Sequence, residues 1–333
     1  MFERLLPALC LVLLASPAWS QQADETPAEA EAVPEQILLV GQRPGPGLWK
    51  VSKDDHVMWV FGTYSPLPEK MDWRSQQVEA ILAQSQEYLA PPVARAKVGF
   101  FRGLTLLPSL IGLKKNPDGA TLHDVLPADV YARWQPLKAK YLGDDDDIER
   151  ERPIFAAQTL FAAGLKQAGL SKGFEVTRKI DGIVKQRKIK VTETGIKLEM
   201  DDPAKMMKEF KKSPLADAAC FSKTLARLEG DIDAMRVRAN AWAKGDLEAI
   251  QKLGYADQES ECGDAMLNAD FVKSRSGFQN IKQRVLAAWL ESAEKAIAAN
   301  GTTFATLQLA DIVGPDSYLT ALKAKGYQVE SPD

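Results

Sequence analysis

The sequence predicts an α/β fold in which the two ends of the chain build one central mixed sheet, flanked by helices and interrupted by a helical insertion. Near the amino end, two short β-prone runs at residues 48–51 and 57–61 flank the polar turn SKDD and predict a hairpin. A strand, a helix and a further strand follow residue 301. Strands at both ends with helices between them indicate a sheet assembled from both halves of the chain.

The hairpin leads through a proline-containing loop into a predicted helix. Ser75 is placed to cap this helix, and Pro91 and Pro92 are placed to end it. Its apolar face is formed by Val78, Ile81, Leu82 and Leu89. The amino-terminal block is therefore a strand, loop and helix unit.

The second half of the chain is dominated by helical periodicity. Apolar residues recur at spacings of three and four over residues 221–242, which predicts a long helix that ends at Gly245. Asp246 is placed to cap the following helix.

The carboxyl-terminal block contains one more long helix and two strands. Residues 278–297 have a helical apolar face and end at Asn300 and a glycine. Residues 302–309 read as a strand, residues 316–325 as a helix and residues 327–329 as a last strand. Ligands on such sheets bind where strands give way to loops.

The first 20 residues have the pattern of a secretory signal peptide. Arg4 precedes a short apolar run, and the small residues Ala18 and Ser20 favour cleavage after Ser20. No later stretch reaches the roughly 18 apolar residues of a membrane helix. Residues 21–46 begin acidic and rich in Ala and Pro, which predicts a disordered linker ahead of one domain over residues 47–333. We expect a secreted or periplasmic protein without a transmembrane helix after cleavage.

Charge and cysteine content narrow the function classes. A net charge of −3 and a pI near 5.7 give no electrostatic case for nucleic-acid binding.

Removal of the signal peptide would leave two cysteines, Cys220 and Cys262. In an oxidising compartment these two are expected to form a disulfide. The rival interpretation, a reactive thiol pair, lacks both a C-x-x-C spacing and a neighbouring histidine.

Three further segments each have two interpretations. Residues 98–113 (VGFFRGLTLLPSLIGL) are unusually apolar, which indicates buried core or else a cleft wall or partner surface. The run of four aspartates at residues 144–147 is best read as a solvated loop, because the further ligand offsets of a calcium loop are absent. The basic stretch 185–190 is read as a helix end that leads into a strand, with a polyanion contact as the alternative.

The motifs of both end blocks resemble those of the TraB/GumN family. The amino-terminal motifs are LWKV, VMWVFGTYSPLP (residues 57–68) and WRSQQVEAIL (residues 73–82). The carboxyl-terminal motif is IVGPDSYLTALKAKGYQV (residues 312–329), and KVTET (residues 190–194) resembles a central strand of the family. The resemblance extends from about Gly47 to the end of the chain.

The resemblance implies a metal site whose ligands this chain has replaced. In metalloprotease-like members related to Tiki proteins, each end block carries a G-x-x-H motif, and an acidic residue follows the first motif. Here the first motif ends in Ser65, the second reads from Gln308 to Asp311, and Pro91 stands at the acidic position. A hydroxyl and one carboxylate are poor zinc ligands, so we expect no metal and no other cofactor. The remaining histidines, His56 and His123, have no metal-ligand spacing.

The residues left near the implied cleft carry the functional candidates. The cleft itself is expected to be lined by Gly62, Thr63, Tyr64, Ser65, Gln308 and Asp311. Ser65, Glu193 and Asp311 are the catalytic candidates, although a serine nucleophile requires a base that the sequence does not place nearby.

Three functions remain open from the sequence. The leading hypothesis is an exported binding or regulatory module with a vacated metal site, whose partner is an envelope protein or a small ligand. The first alternative is a hydrolase of peptides or envelope glycans that uses Glu193 and Asp311, with or without an oxygen-preferring metal. The second is a structural envelope protein that docks a partner through residues 98–113.

Overall fold

The computed structural model describes residues 47–332 except for positions 72, 74, 98–107, 109, 201, 213–216, 231, 253–271, 273–274 and 314–315. The predicted signal peptide, the predicted linker, most of residues 98–113 and Cys262 lie outside the described residues. The strands are β1 Leu48–Lys53, β2 His56–Thr63, β3 Leu67–Pro68, β4 Glu87–Leu89, β5 Ala94–Lys97, β6 Leu170–Ser171, β7 Lys190–Thr192, β8 Ile196–Glu199, β9 Thr302–Gln308 and β10 Gln328–Glu330.

The central sheet has six strands in the order β10-β1-β2-β9-β4-β7 and joins the two ends of the chain. Strands β1 and β2 form the predicted antiparallel hairpin, which turns at Asp54 with a left-handed φ of 55°. Strand β10 pairs antiparallel with the outer side of β1, whereas β9 pairs parallel with β2. The sheet is therefore mixed, and the predicted α/β class is confirmed.

Strand β4 differs from the sequence prediction, in which Leu89 belongs to the apolar face of the first helix. That helix stops at Gln84, and the hydroxyl of Ser85 donates a hydrogen bond of 2.9 Å to the carbonyl of Ile81. Residues Glu87–Leu89 then pair in parallel with both β9 and β7. The prediction that Leu89 belongs to the helix is wrong, since pairing with two distant strands decides the conformation of these three residues.

The helices of the described residues are α1 Gln76–Gln84, α2 Leu122–Val125, α3 Ala128–Tyr141, α4 Pro153–Gln167, α5 Phe174–Arg187, α6 Pro203–Lys212, α7 Ala218–Gly230, α8 Ile232–Lys244, α9 Leu247–Lys252, α10 Ile281–Ala299, α11 Leu309–Ile312 and α12 Tyr318–Ala324. Short 3-10 helices span Pro117–Gly119, Asp147–Arg150 and Ser276–Phe278. Within the described part of the chain, none of the helices is both long and apolar enough to span a bilayer.

The sheet is buried on both faces. On one face, the ring of Phe61 lies 6.4 Å from that of Phe304 and contacts Trp73 and Trp242 at 5.5 and 6.2 Å. On the other face α10 packs, and the hydroxyl of Thr303 donates to the carbonyl of a residue in this helix. Burial of each large aromatic side chain contributes roughly 1.5–3 kcal/mol, so this aromatic layer is a main source of stability.

Helices α2, α3, α4 and α7 pack around a second core, as expected for a helical insertion. Its centre is formed by Trp134 and Phe221, whose rings are 5.3 Å apart and fully buried. The predicted helix over residues 221–242 corresponds to α7 and α8, which lie on either side of residue 231. The predicted cap is present: the carboxylate of Asp246 accepts a hydrogen bond of 2.9 Å from the backbone nitrogen of Ala249.

The aspartate run lies beside a polar cavity of about 300 Å³ in the insertion. The ammonium group of Lys138 lies 2.9 Å from the carboxylate of Asp146 and 3.7 Å from that of Glu149. The hydrogen bond to Asp146 raises the pKa of Lys138. This arrangement supports the solvated-loop interpretation, because the carboxylates bind a lysine of the chain itself.

Candidate functional site

The carboxyl ends of four parallel strands form the edge at which the predicted cleft residues meet. Strands β2, β9, β4 and β7 run parallel in this order, and Thr63 lies opposite Gln308 as the last pair of β2 and β9. Neighbouring strands are about 4.8 Å apart. The two motifs of the end blocks therefore finish side by side, at the edge where open α/β sheets bind ligands.

Gly62 and Thr63 have structural contacts at this edge. The carbonyl of Gly62 accepts a hydrogen bond of 2.8 Å from the indole nitrogen of Trp242. A Cβ at position 62 would lie 2.9 Å from the ring of Trp49, so only glycine fits without displacement. The hydroxyl of Thr63 donates to the carbonyl of Leu307 at 3.1 Å. These contacts hold β2, β9 and the helical layer in register.

Tyr64 points into the protein, although the sequence places it in the cleft. Its side chain is 5% exposed, and its hydroxyl accepts a hydrogen bond of 3.1 Å from the Nε of Arg238, which is itself 3% exposed. Arg238 lies on α8, three residues after Met235 and four before Trp242, so the spacing places it on the buried face of the helix, where an arginine is unusual. The two residues therefore brace the base of the edge, and sequence reasoning missed the role of Arg238.

Ser65, Gln308 and Asp311 differ in exposure. Ser65 and Gln308 are exposed, and Asp311 is half-buried on the short helix α11. Burial, together with the negative charge of Asp311, raises the pKa of Tyr318. Ser65 faces solvent and precedes a cis peptide bond to Pro66.

Glu193 follows β7 and is paired with an arginine. Its carboxylate lies 2.6 Å from the guanidinium of Arg95, and both side chains are more than half exposed. Exposed pairs of this kind contribute at most about 1 kcal/mol to stability.

The negative charge of Glu193 also affects the pKa values of nearby groups. Burial raises the pKa of Tyr88 to about 12, and the negative charges of Asp181 and Glu193 raise it further. Burial also raises the pKa of Asp181, and the charge of Glu193 adds to this effect.

The two carboxylate candidates follow strands that are not adjacent. Asp311 follows β9 and Glu193 follows β7, and β4 lies between these strands. Two strand spacings amount to about 9.6 Å. The two carboxylates therefore do not follow neighbouring strand ends, and another strand lies between their backbones.

The residues at the implied ligand positions do not fit a zinc ion. Ser65 offers a hydroxyl, Asp311 one carboxylate and Pro91 no side-chain donor, whereas zinc sites in proteins use histidine, cysteine and carboxylate ligands. Within the described residues, no group of three or more His, Cys, Asp and Glu side chains is arranged to hold a metal.

Neither histidine lies on a strand end of the carboxyl edge. His56 begins β2, so seven residues of extended strand, about 23 Å, separate it from Thr63. Its Nδ1 lies 2.8 Å from the carbonyl oxygen of Asn300. His123 lies on α2, where its ring contacts that of Tyr131 at 4.9 Å.

A buried carboxylate that the sequence analysis missed lies at the opposite, amino edge of the sheet. Glu87 is 4% exposed, and its carboxylate accepts hydrogen bonds from the side chains of Thr192 and Asn300. It also forms an ion pair of 3.1 Å with Lys190. Burial alone would raise its pKa, but these donors outweigh burial and lower the pKa below 4.5. A carboxylate saturated in this way fastens β4 to its neighbours, and a glutamate before a short apolar run gives no sequence signal of that role.

Cys220 lies in α7. Its side chain is fully buried and disulfide-bonded. Because Cys262 lies outside the described residues, the pairing of Cys220 with Cys262 stays a prediction.

Comparison with known proteins identifies a family but no individual relative. Neither the curated proteins nor the solved structures contain a significant match to this chain. The sequence model of the TraB/PrgY/gumN family matches residues 47–331, which include all the strands and helices described above. The chain therefore belongs to the TraB/PrgY/gumN family.

Proposed function

We propose that the protein is an exported envelope protein that uses the family scaffold for binding or regulation and does not hydrolyse substrates with a metal. The observation that carries this proposal is the position of the histidines. The chain has two, and His56 lies at the end of β2 opposite to Thr63, so only His123 could serve as an imidazole ligand at the carboxyl edge. A metal centre with two imidazole ligands at that edge has no residues from which to form.

The surroundings of the edge support a binding role. Tyr64 and Gly62 are fixed by Arg238 and Trp242, so the strand end is rigid. Ser65 and Gln308 remain exposed beside it. A rigid edge with exposed polar side chains suits the recognition of a small ligand or an envelope protein.

The alternative, a hydrolase based on Glu193 and Asp311, has less support. The strands that precede these residues are separated by β4, and Glu193 is engaged by Arg95. General acid and base catalysis needs both groups within reach of one substrate bond.

The metal content of the purified protein tests the proposal. We expect no stoichiometric zinc or manganese by plasma mass spectrometry after purification without chelators. One transition-metal ion per chain would contradict it. The variants Asp311→Asn and Glu193→Gln distinguish the binding role from the hydrolase alternative. If the protein shows hydrolytic activity and both variants lose it, the hydrolase is favoured.

Cell fractionation tests the proposed location. We expect the chain in the periplasmic or secreted fraction, shortened by cleavage after Ser20. Deletion of residues 1–20 should retain it in the cytoplasm. A full-length chain in the cytoplasmic fraction would refute export.

A further inference from the structure

Two aliphatic side chains of the helical insertion are exposed to solvent. Leu110 is 44% exposed and Ile111 is 77% exposed. Single exposed aliphatic residues are ordinary on protein surfaces. Two consecutive ones, of which the isoleucine is mostly exposed, are a candidate surface for binding another molecule. The basic residue Lys114 follows them and is also exposed.

Helix α6 presents a face of lysines. Lys205, Lys208 and Lys212 are spaced by three and four residues, so they share one side of the helix, and all three are exposed. Phe210 lies on the opposite side and is 6% exposed. The helix is thus anchored in the protein by its apolar side and leaves its lysines in solvent.

The aliphatic pair and the lysine face belong to one surface. The ammonium of Lys211 donates a hydrogen bond of 2.6 Å to the carbonyl of Ile111. Leu113 packs in one apolar cluster with Phe210 and Met206. The segment that carries Leu110 and Ile111 is therefore fixed directly against α6, and we call the combined surface the lysine patch.

The charge of the lysine patch is opposite to that of the whole chain. Residues 110–115 and 201–212 contain six lysines, two aspartates and one glutamate, a net charge of +3 in a chain of net charge −3. The glutamate, Glu209, is bound to Arg275 at 2.6 Å. Asp202 caps the start of the helix at the backbone nitrogen of Lys205. The side chains of Lys205, Lys208 and Lys212 are exposed, whereas Lys211 is half-buried.

We propose that the lysine patch docks on the surface of an anionic lipid bilayer. Lysines are attracted to anionic headgroups, and aliphatic side chains such as Ile111 enter the boundary between headgroups and acyl chains. A lipid surface satisfies both features at once, whereas a soluble polyanion offers nothing to the exposed isoleucine. The protein then binds the membrane peripherally, independently of what the carboxyl edge recognises.

Sedimentation of purified protein with vesicles tests the proposal. We expect binding to vesicles of mixed phosphatidylcholine and phosphatidylglycerol, weak binding to phosphatidylcholine alone, and release by high salt. One lysine near an anionic surface contributes about fivefold in affinity, or ~1 kcal/mol. The triple variant Lys205→Gln, Lys208→Gln and Lys212→Gln should therefore lose on the order of 100-fold.

A matched variant controls for net charge. Lys166, Lys172 and Lys323 are exposed and lie outside the patch, so their replacement by glutamine changes the total charge equally and should leave binding nearly unchanged. Ile111→Ser should weaken binding several-fold with the lysines intact. Equal losses in the two triple variants, or no binding of wild type to anionic vesicles at low salt, would overturn the proposal.

A protein partner is the competing outcome. If the patch docks a protein, the lysine variant should abolish a specific crosslink in cells while wild type ignores vesicles of either composition. That result also overturns the lipid proposal.

Discussion

The indole nitrogen of Trp242 donates a hydrogen bond of 2.8 Å to the carbonyl oxygen of Gly62, and Trp242 is only 1% exposed. Trp242 lies on helix α8, while Gly62 is the second-last residue of the central strand β2. This bond joins the two at the candidate site. Gly62 is itself buried, so the geometry of the strand end depends on a residue 180 positions away.

Trp242→Phe should destabilise the protein by about 1–3 kcal/mol, because it leaves the buried Gly62 carbonyl without this donor. The measurement is urea unfolding at neutral pH. The control is Trp59→Phe, at a half-buried tryptophan of β2, the strand that contains Gly62. It should lower the free energy of unfolding by less. Equal losses in the two variants would indicate that ring volume, and not the hydrogen bond, determines the effect.

Gly62→Ala should destabilise the protein by about 1–3 kcal/mol, as is typical of overpacking. The added Cβ would lie 2.9 Å from Trp49 and 3.2 Å from both Leu309 and Ile312. The matched control is Gly182→Ala on α5, where no atom lies within 4 Å. Since alanine is the better helix former, the control should stabilise the protein by roughly 0.5–1 kcal/mol. Two effects of the same sign would contradict the packing at Gly62.

Glu87→Gln should make stability less dependent on acid pH. The folded protein lowers the pKa of Glu87 below its ordinary value of 4.5, so the stabilisation is present above 4.5 and is lost as the pH falls through the folded pKa. We expect the variant to be less stable by about 1–3 kcal/mol near neutral pH, with the difference shrinking at acid pH. The control is Glu291→Gln, which removes an exposed ion pair with Lys295. Its stability should match that of wild type at both neutral and acid pH.

Local patterns predicted the elements whose signals are contained in a few neighbouring residues. The structure contains the elements with such signals: the hairpin, the cap at Asp246, and the carboxyl-terminal elements β9, α12 and β10. Strand β4 was missed because its three residues follow a helical pattern, and only pairing with β9 and β7 makes them a strand.

The candidate site was predictable to the level of backbone placement. The family resemblance implied that residues after β2 and β9 converge, and the pairing of Thr63 with Gln308 brings these strand ends together. The contact of Arg238 with Tyr64 was not predictable, because it joins positions 174 residues apart in the chain. The strand order, which separates Glu193 from Asp311, is likewise a long-range property.

Cys220→Ser should destabilise the protein by about 4 kcal/mol, the loop-entropy value for a disulfide that closes about 42 residues. If the partner is Cys262, then Cys262→Ser should cost the same and the double variant no more. Thermal unfolding measures these differences, and alkylation of the exported native protein should detect no free thiol. Unequal losses in the single variants, or two free thiols, would refute the pairing.

Histidines at the ends of β2 and β9 should create a metal site at the carboxyl edge. Ser65 and Asp311 follow strands that are neighbours at about 4.8 Å, so Ser65→His with Asp311→His places two imidazoles near one ion, and Pro91→Glu adds a carboxylate from the next strand. We expect this triple variant to bind zinc more tightly than wild type in competition with a chromophoric chelator. The control carries Ser65→His, Glu193→His and Pro91→Glu. Because β2 and β7 are three spacings apart, about 14 Å, the control should gain less affinity. A folded triple variant that binds no better than wild type would show that Ser65 and Asp311 do not occupy the family's ligand positions.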